Sequence, residues 1–284
     1  MLTLILEEST FDDTIDFLSY RNGIMVIILS ILVGFFASFL SSIFGGGAGL
    51  ITVPGVYWIV VHFYAHTDDA MQMTLATGSA MAIPLGLMAT LRQRRYKNID
   101  YPILKKTIIS MSIGGVLGAL VISNVASHYV KLFFGIMILL TAIWMWRYKI
   151  NLSKTWMPHP ITYNLAGTTL GTISTALGVS VFTVPFLSKA GLDIKKAIGT
   201  STTIVFTYST LAGIAFIIIG LFKTGSSLSH IGYLNTVIFL SAIIPSLIGS
   251  IVGVKLVHVL PQIVLKRLFV LMMFIVAILM LIPK

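Results

Sequence analysis

The chain has 284 residues, of which 57% are hydrophobic and 10% charged, less than half the charged share of about 25% that a soluble domain carries. A mean hydropathy of +0.98 exceeds what one water-facing core can absorb, so lipid must solvate much of the surface. The net charge of +10 gathers between apolar runs, which reads as membrane loops and not as a nucleic-acid surface, and the absence of cysteine excludes disulfides, thiolate metal sites and thiol nucleophiles.

Residues 1–23 form an acidic N-terminal segment. Glu7, Glu8, Asp12, Asp13 and Asp16 fall there and no Lys or Arg occurs in the first twenty positions, the opposite of a signal peptide's basic start, so no cleaved signal is predicted. The first transmembrane repeat, 24–147, opens with the apolar run 24–44, the stretch Gly45, Gly46, Gly47, Ala48, Gly49, and the run 50–64. This reads as one broken or re-entrant helix, whose free backbone groups must avoid lipid. Runs 74–91, 107–124 and 130–146 follow, each near the roughly 20 residues needed to cross hydrocarbon. After a linker at 148–160 the second repeat, 161–284, has a segment 163–187 broken near Gly178 and then runs 198–222, 231–254 and 263–282.

Arg92, Arg94, Arg95, Lys97, Lys105 and Lys106 share one short connection, which places it in the cytoplasm. If both broken segments enter and return on one side, 15 of the 19 basic residues lie inside. Both termini are then outside, and the linker 148–160 and Lys189–Lys196 are cytoplasmic.

The two halves match in three places and in the same order. Gly47, Thr52, Val53 and Pro54 pair with Gly178, Thr183, Val184 and Pro185; Thr77, Gly78 and Ser79 face Gly199, Thr200 and Ser201; Gly114, Gly118 and Lys131 pair with Gly249, Gly253 and Lys266. The predicted fold is therefore an all-α polytopic membrane protein of two inverted-topology repeats, each a broken or re-entrant helix followed by three transmembrane helices. In such transporters the broken helices meet near the midplane, with half-helix N-termini facing an anionic substrate.

The stretches SSIFGGGAGLITVP and STALGVSVFTVPFL, each followed by a TGS or GTS helix and a glycine-bearing span, resemble the TauE/SafE family of sulfite and organosulfonate exporters across roughly residues 24–282. The resemblance implies a bacterial or archaeal plasma-membrane permease that exports small sulfur-containing anions, with substrate near the two broken segments. The halves are not identical there, since Gly46, Gly47 and Gly49 stand against Leu177, Gly178 and Ser180.

The candidate substrate-binding set is accordingly Gly45, Gly46, Gly47, Gly49, Thr77, Gly78, Ser79, Gly178, Ser180, Gly199, Thr200 and Ser201. Glycines let a backbone approach an anion or another helix, and the hydroxyls either donate to an oxyanion or bond their own preceding carbonyls. Pro54 and Pro185 are read as shaping the breaks. The G-x-x-x-G pairs Gly114/Gly118 and Gly249/Gly253 indicate helix contact. Lys131 is expected to snorkel to the interface, and Tyr208 either lines the path or packs against a helix. His62, His66 and Asp69 suit an aqueous loop better than a metal site; neither metal nor cofactor is predicted. The expected partners are a small anionic substrate and the lipid bilayer, with no nucleic acid and with self-association left open.

None of the nine acidic residues falls inside a predicted span, so a carboxylate proton relay is missing and the membrane potential suffices to drive an anion outward. A channel, a cation- or anion-coupled transporter of another small solute, and an intramembrane enzyme are the competing readings. The last is disfavoured because the spans offer Ser, Thr and Tyr without an acid or histidine beside them.

Overall fold

The structure, a computed structural model, describes residues 22–42, 48–64, 68–147, 159–227, 229–257 and 262–282. Gly45, Gly46, Gly47 and His66, with most of the acidic N-terminal segment and of the linker 148–160, lie outside the described residues. The described chain forms α1 (Asn22–Ser42), α2 (Gly49–Phe63), α3 (Ala70–Arg95), α4 (Tyr101–Ser123), α5 (Ser127–Arg147), α6 (Pro160–Leu177), α7 (Thr183–Lys189) and α8 (Ile194–Lys223). The hairpin β1 (His230–Ile231) and β2 (Leu234–Asn235) then precedes α9 (Thr236–Val257) and α10 (Gln262–Leu281).

Six helices, α1, α3, α4, α5, α8 and α9, are long and apolar enough to cross a membrane. Their outer faces carry apolar stripes at helical spacing, such as Leu240, Ile244, Ile248 and Ile251 on α9, all exposed. Such a stripe would drive aggregation in water and is satisfied in lipid.

Helix starts follow local chemistry. Asp100 caps α4 by accepting from Ile103 N–H at 3.1 Å, and Asp193 caps α8 by accepting from Lys196 N–H at 2.7 Å, so α8 begins ahead of the predicted run 198–222. The predicted run 231–254 holds a larger difference. Gly232 at φ +57 turns the β1–β2 hairpin, and the Asn235 side chain accepts from Ile238 N–H at 3.0 Å, starting α9 only at Thr236. Ile231, Tyr233 and Leu234 continue the apolar run without being helical, which is why hydropathy joined them to the span. The first break of the second half is a left-handed exit at Gly178, φ +59, with Gly178 N–H on Thr175 O at 3.1 Å and Val179 N–H on Ser174 O at 3.2 Å. Pro54 lies inside α2, and Pro185 lies in the first turn of α7, each a few residues beyond its break.

Glycines set the packing. On α4, a Cβ at Gly114 would strike the Thr168 carbonyl of α6, and one at Gly118 would lie 2.8 Å from the Thr172 carbonyl; Gly167 and Gly171 of α6 meet Ser110 and Met111 in return. On α9, Gly249 and Gly253 meet the carbonyls of Phe35 and Phe39 of α1, while a Cβ at Gly34 of α1 would lie 2.6 Å from the Ala242 carbonyl and 2.9 Å from the Ser246 hydroxyl. Both G-x-x-x-G pairs thus serve close helix contact. Lys131 departs from the snorkelling expectation: it is 7% exposed and donates to the Ile282 carbonyl beyond the end of α10 at 3.0 Å. A cation is stabilised there because that helix end presents unpaired carbonyls.

Candidate functional site

The two breaks touch. A Cβ added to Gly49, the first residue of α2, would overlap the Gly178 carbonyl, and one on Gly178 would meet Val53 at 2.9 Å and Leu75 at 3.0 Å. Beside this contact lies a cavity of about 900 Å³ lined by parts of α1, α2, α3, α6, α8 and α9 and by the residues between α6 and α7. Of the candidate set, Gly49, Gly78, Ser79, Gly178, Ser180 and Ser201 line it.

Thr77, Gly199 and Thr200 do not, and the structure gives them other work. Thr77 Oγ1 accepts from the Asn235 N–H at 3.0 Å, and Thr200 Oγ1 accepts from the Asp100 N–H at 2.9 Å. Asn235 and Asp100 are the residues whose side chains start α9 and α4. Each threonine therefore latches the entry of a glycine-bearing helix in the other half of the chain. Gly199 permits the close approach of the same connection, because a Cβ there would strike the Asn98 backbone carbonyl.

The cavity wall holds more hydroxyls than the repeat matching singled out: Ser38, Ser41, Ser42, Thr52, Ser174, Thr175, Thr202, Ser209 and Ser250. A signal for some of them stood in the paired stretches, where Ser41–Ser42 and Ser174–Thr175 precede the two breaks. Ser38 and Thr175 are 2% and 3% exposed, and among the described residues neither hydroxyl has a hydrogen-bond partner. Buried polar groups are almost always paired, and these two are not, although both residues border the cavity. Tyr208 also lines the cavity, its hydroxyl near those of Ser174, Ser180 and Ser209, and a Cβ added to Gly115 would lie 3.1 Å from its carbonyl.

Charge is distributed unevenly along this path. Arg92, Gln93, Tyr96 and Asn98 line one end of the cavity, and Arg92 is the only charged side chain on its wall among the described residues. The described acids, Asp68, Asp69, Asp100 and Asp193, all lie in connections outside the helices and none lines the cavity. Asp100 pairs with Lys196 at 3.8 Å, an exposed contact worth at most about 1 kcal/mol.

At the other end, residues Ala70–Thr77 of α3 are buried without exception, whereas most of the α3 residues from Gly78 onward are only partly buried or exposed. The hairpin covers this end. Its Tyr233 is 0% exposed, and burial together with the nearby Asp69 charge pushes its phenol up to about 12.

A bundle of apolar helices around a hydroxyl-lined cavity that opens at one end has the build of a multi-pass membrane transporter. The sulfite exporter TauE/SafE family matches residues 30–280, and the chain belongs to it. It is 26% identical over 255 residues to a Haemophilus influenzae protein described as a probable membrane transporter protein, covering 89% of this chain and 97% of that one. A Methanocaldococcus jannaschii protein described in the same words is 24% identical over 237 residues, covering 82% and 87%. The Bacillus subtilis protein YunE, another described so, is 26% identical over 119 residues, 42% of this chain and 44% of its own. No solved structure matches the chain.

Proposed function

We propose that the protein exports a small sulfur-containing anion, sulfite or a sulfonate-like ion, across the plasma membrane, and that the cavity is its binding site. The observation that carries this reading is the wall itself: hydroxyl-bearing residues such as Ser38, Ser79, Thr175 and Ser201, one arginine at the mouth and, among the described residues, no carboxylate. Hydroxyls replace the hydration shell of an oxyanion, while a cation favours carboxylates, and among the described residues none lines this wall. The mouth lies at the basic end of α3, which the positive-inside rule makes cytoplasmic, so the anion loads from inside. Each elementary charge that crosses outward at 100 mV gains about 2.3 kcal/mol, about a fiftyfold bias, without any proton relay.

The same proposal includes the inverted repeat. Gly114 and Gly118 meet Thr168 and Thr172 as Gly249 and Gly253 meet Phe35 and Phe39, at offsets of 135 and 133 residues. Asp100 and Asn235, also 135 apart, make the same two kinds of hydrogen bond. These paired contacts run from each half into the other, as a two-fold relation between α1–α5 and α6–α10 requires. The broken helices α1–α2 and α6–α7 would then face each other across the axis at Gly49 and Gly178.

Purified protein in liposomes loaded with sulfite tests the function. Saturable efflux, weakened severalfold by Ser38→Ala or Thr175→Val at equal protein level, is the expected result. Efflux equal to that of empty liposomes, or insensitive to both substitutions, would remove the cavity from the transport path.

A further inference from the structure

The connections α3–α4 and α8–α9 are built alike and end differently. At an offset of 135 residues, Lys97 at φ +55 stands against Gly232 at φ +57, and Asp100 stands against Asn235, each hydrogen-bonded through its backbone N–H to a threonine of the other half. Between these anchors, Asn98 falls against Tyr233. Asn98 lines the open mouth of the cavity. Tyr233 is wholly buried at the opposite end.

The surroundings of Tyr233 make that end a plug. The eight α3 residues Ala70–Thr77 are buried all round, a depth of about 12 Å at 1.5 Å per residue. The hairpin joins this plug at both strands. Asn235 hangs from Thr77, next to the cavity-lining Gly78, and Gly232 lies on α8 where a Cβ would strike the Ile217 carbonyl; Gly220 of α8 in turn meets the Tyr233 N–H. The Tyr233 hydroxyl has no hydrogen-bond partner among the described residues, so the ring fills space without being tethered.

Resting on the transport reading above, we propose that Tyr233 is the closing residue of the outer half of the anion path, the counterpart of Asn98 at the inner mouth. With a small side chain at 98 the inner half stands open; with a phenol at 233 the outer half is shut. A transporter of two related halves exposes its site to one face at a time, and release outward then requires the hairpin to carry the Tyr233 ring out of the plug. The ring has no hydroxyl bond to break, so the movement is opposed by its packing and by the Asn235–Thr77 hydrogen bond that holds the hairpin.

The chain has no native cysteine, so a single reporter reads the cavity. Ala82→Cys places a thiol on its wall, and a charged, membrane-impermeant methanethiosulfonate is applied to intact cells or to inverted vesicles. With Tyr233 in place, the reporter is expected to react from the inner face and to stay protected from outside. Adding Tyr233→Ala should raise its rate from outside at least tenfold, whereas Tyr233→Phe, which keeps the ring, should not. Tyr233→Val serves if the alanine variant fails to insert. The reciprocal substitution Asn98→Tyr should slow labelling from the inner face severalfold.

Unchanged protection from outside in the truncated variants, with inner labelling retained, would overturn the closing role. Inner labelling indifferent to Asn98→Tyr would remove the equivalence on which it rests. A parent reporter that reacts only from outside would refute the inward-loading orientation of the transport reading itself, a result distinct from the first two.

Discussion

Replacing Thr77 by Val separates a latch from a ligand. The substitution keeps the side-chain shape and removes the oxygen that accepts from Asn235 N–H at 3.0 Å. Asn235 is 0% exposed, so no solvent replaces the lost acceptor, and a buried donor left unpaired costs about 1–3 kcal/mol. That is about a 5- to 150-fold shift toward release of the hairpin and of the α9 entry. On the soluble-protein scale of about 2–4 °C per kcal/mol, a loss near 2 kcal/mol lowers the melting temperature by about 4–8 °C. Thr77→Ser keeps the acceptor and should melt within a degree or two of the parent. Thr200→Val should cost less, below about 1 kcal/mol, because its partner Asp100 is only partly buried and water can reach the freed N–H. The assay is thermal melting of the purified protein, read beside sulfite flux at matched protein level. Equal destabilisation by Val and Ser at 77 would refute the hydrogen-bond account. A Val variant that melts like the parent yet has lost transport would return Thr77 to the ligand set.

Other outcomes follow from the same geometry. Gly49→Ala and Gly178→Leu should each abolish flux while leaving protein in the membrane, since a side chain at either place enters the contact between the two breaks; flux measured at matched membrane levels checks this, and wild-type rates would take the breaks out of the path. Arg92→Gln should lower the flux at low anion concentration severalfold and leave the saturating rate nearly unchanged, because a charge at the mouth concentrates anions without forming the site; a loss confined to the saturating rate contradicts that role. In right-side-out liposomes an inside-negative potential should accelerate anion exit, while collapsing a pH gradient at fixed anion speciation should change little; exit that follows the proton gradient and ignores voltage would defeat uncoupled transport.

Much of the fold is legible because hydropathy is a long-range average. The spans survive errors at their ends: α4 and α8 start behind the caps Asp100 and Asp193, ahead of the predicted runs 107–124 and 198–222. The hairpin is not legible, since Ile231, Tyr233 and Leu234 are as apolar as the helix they precede and only Gly232 punctuates them. The site is legible in part. Duplication points to Gly49's neighbourhood and to Gly178, but it cannot say which face of a helix a residue occupies. Thr77 and Ser79 are two positions apart, about 200° around a helix, and the structure sends one to a latch and the other to the cavity. A soluble helix would reveal that phase through a polar stripe; helices apolar on nearly every side do not.

The placement of the acids joins the fold to the proposed transport. Asp100 and Asp193 each accept a backbone N–H at a helix start, and Asp68 and Asp69 precede α3 on the far side of the plug. Capping uses carboxylates where water still reaches them, at little desolvation cost. A carboxylate moved onto the cavity wall would repel an anionic substrate. Neutral hydroxyls such as those of Ser38 and Thr175 carry no such repulsion. In the proposed transport the wall supplies recognition and the membrane field direction, and the remaining control over passage falls to the two connections at its ends.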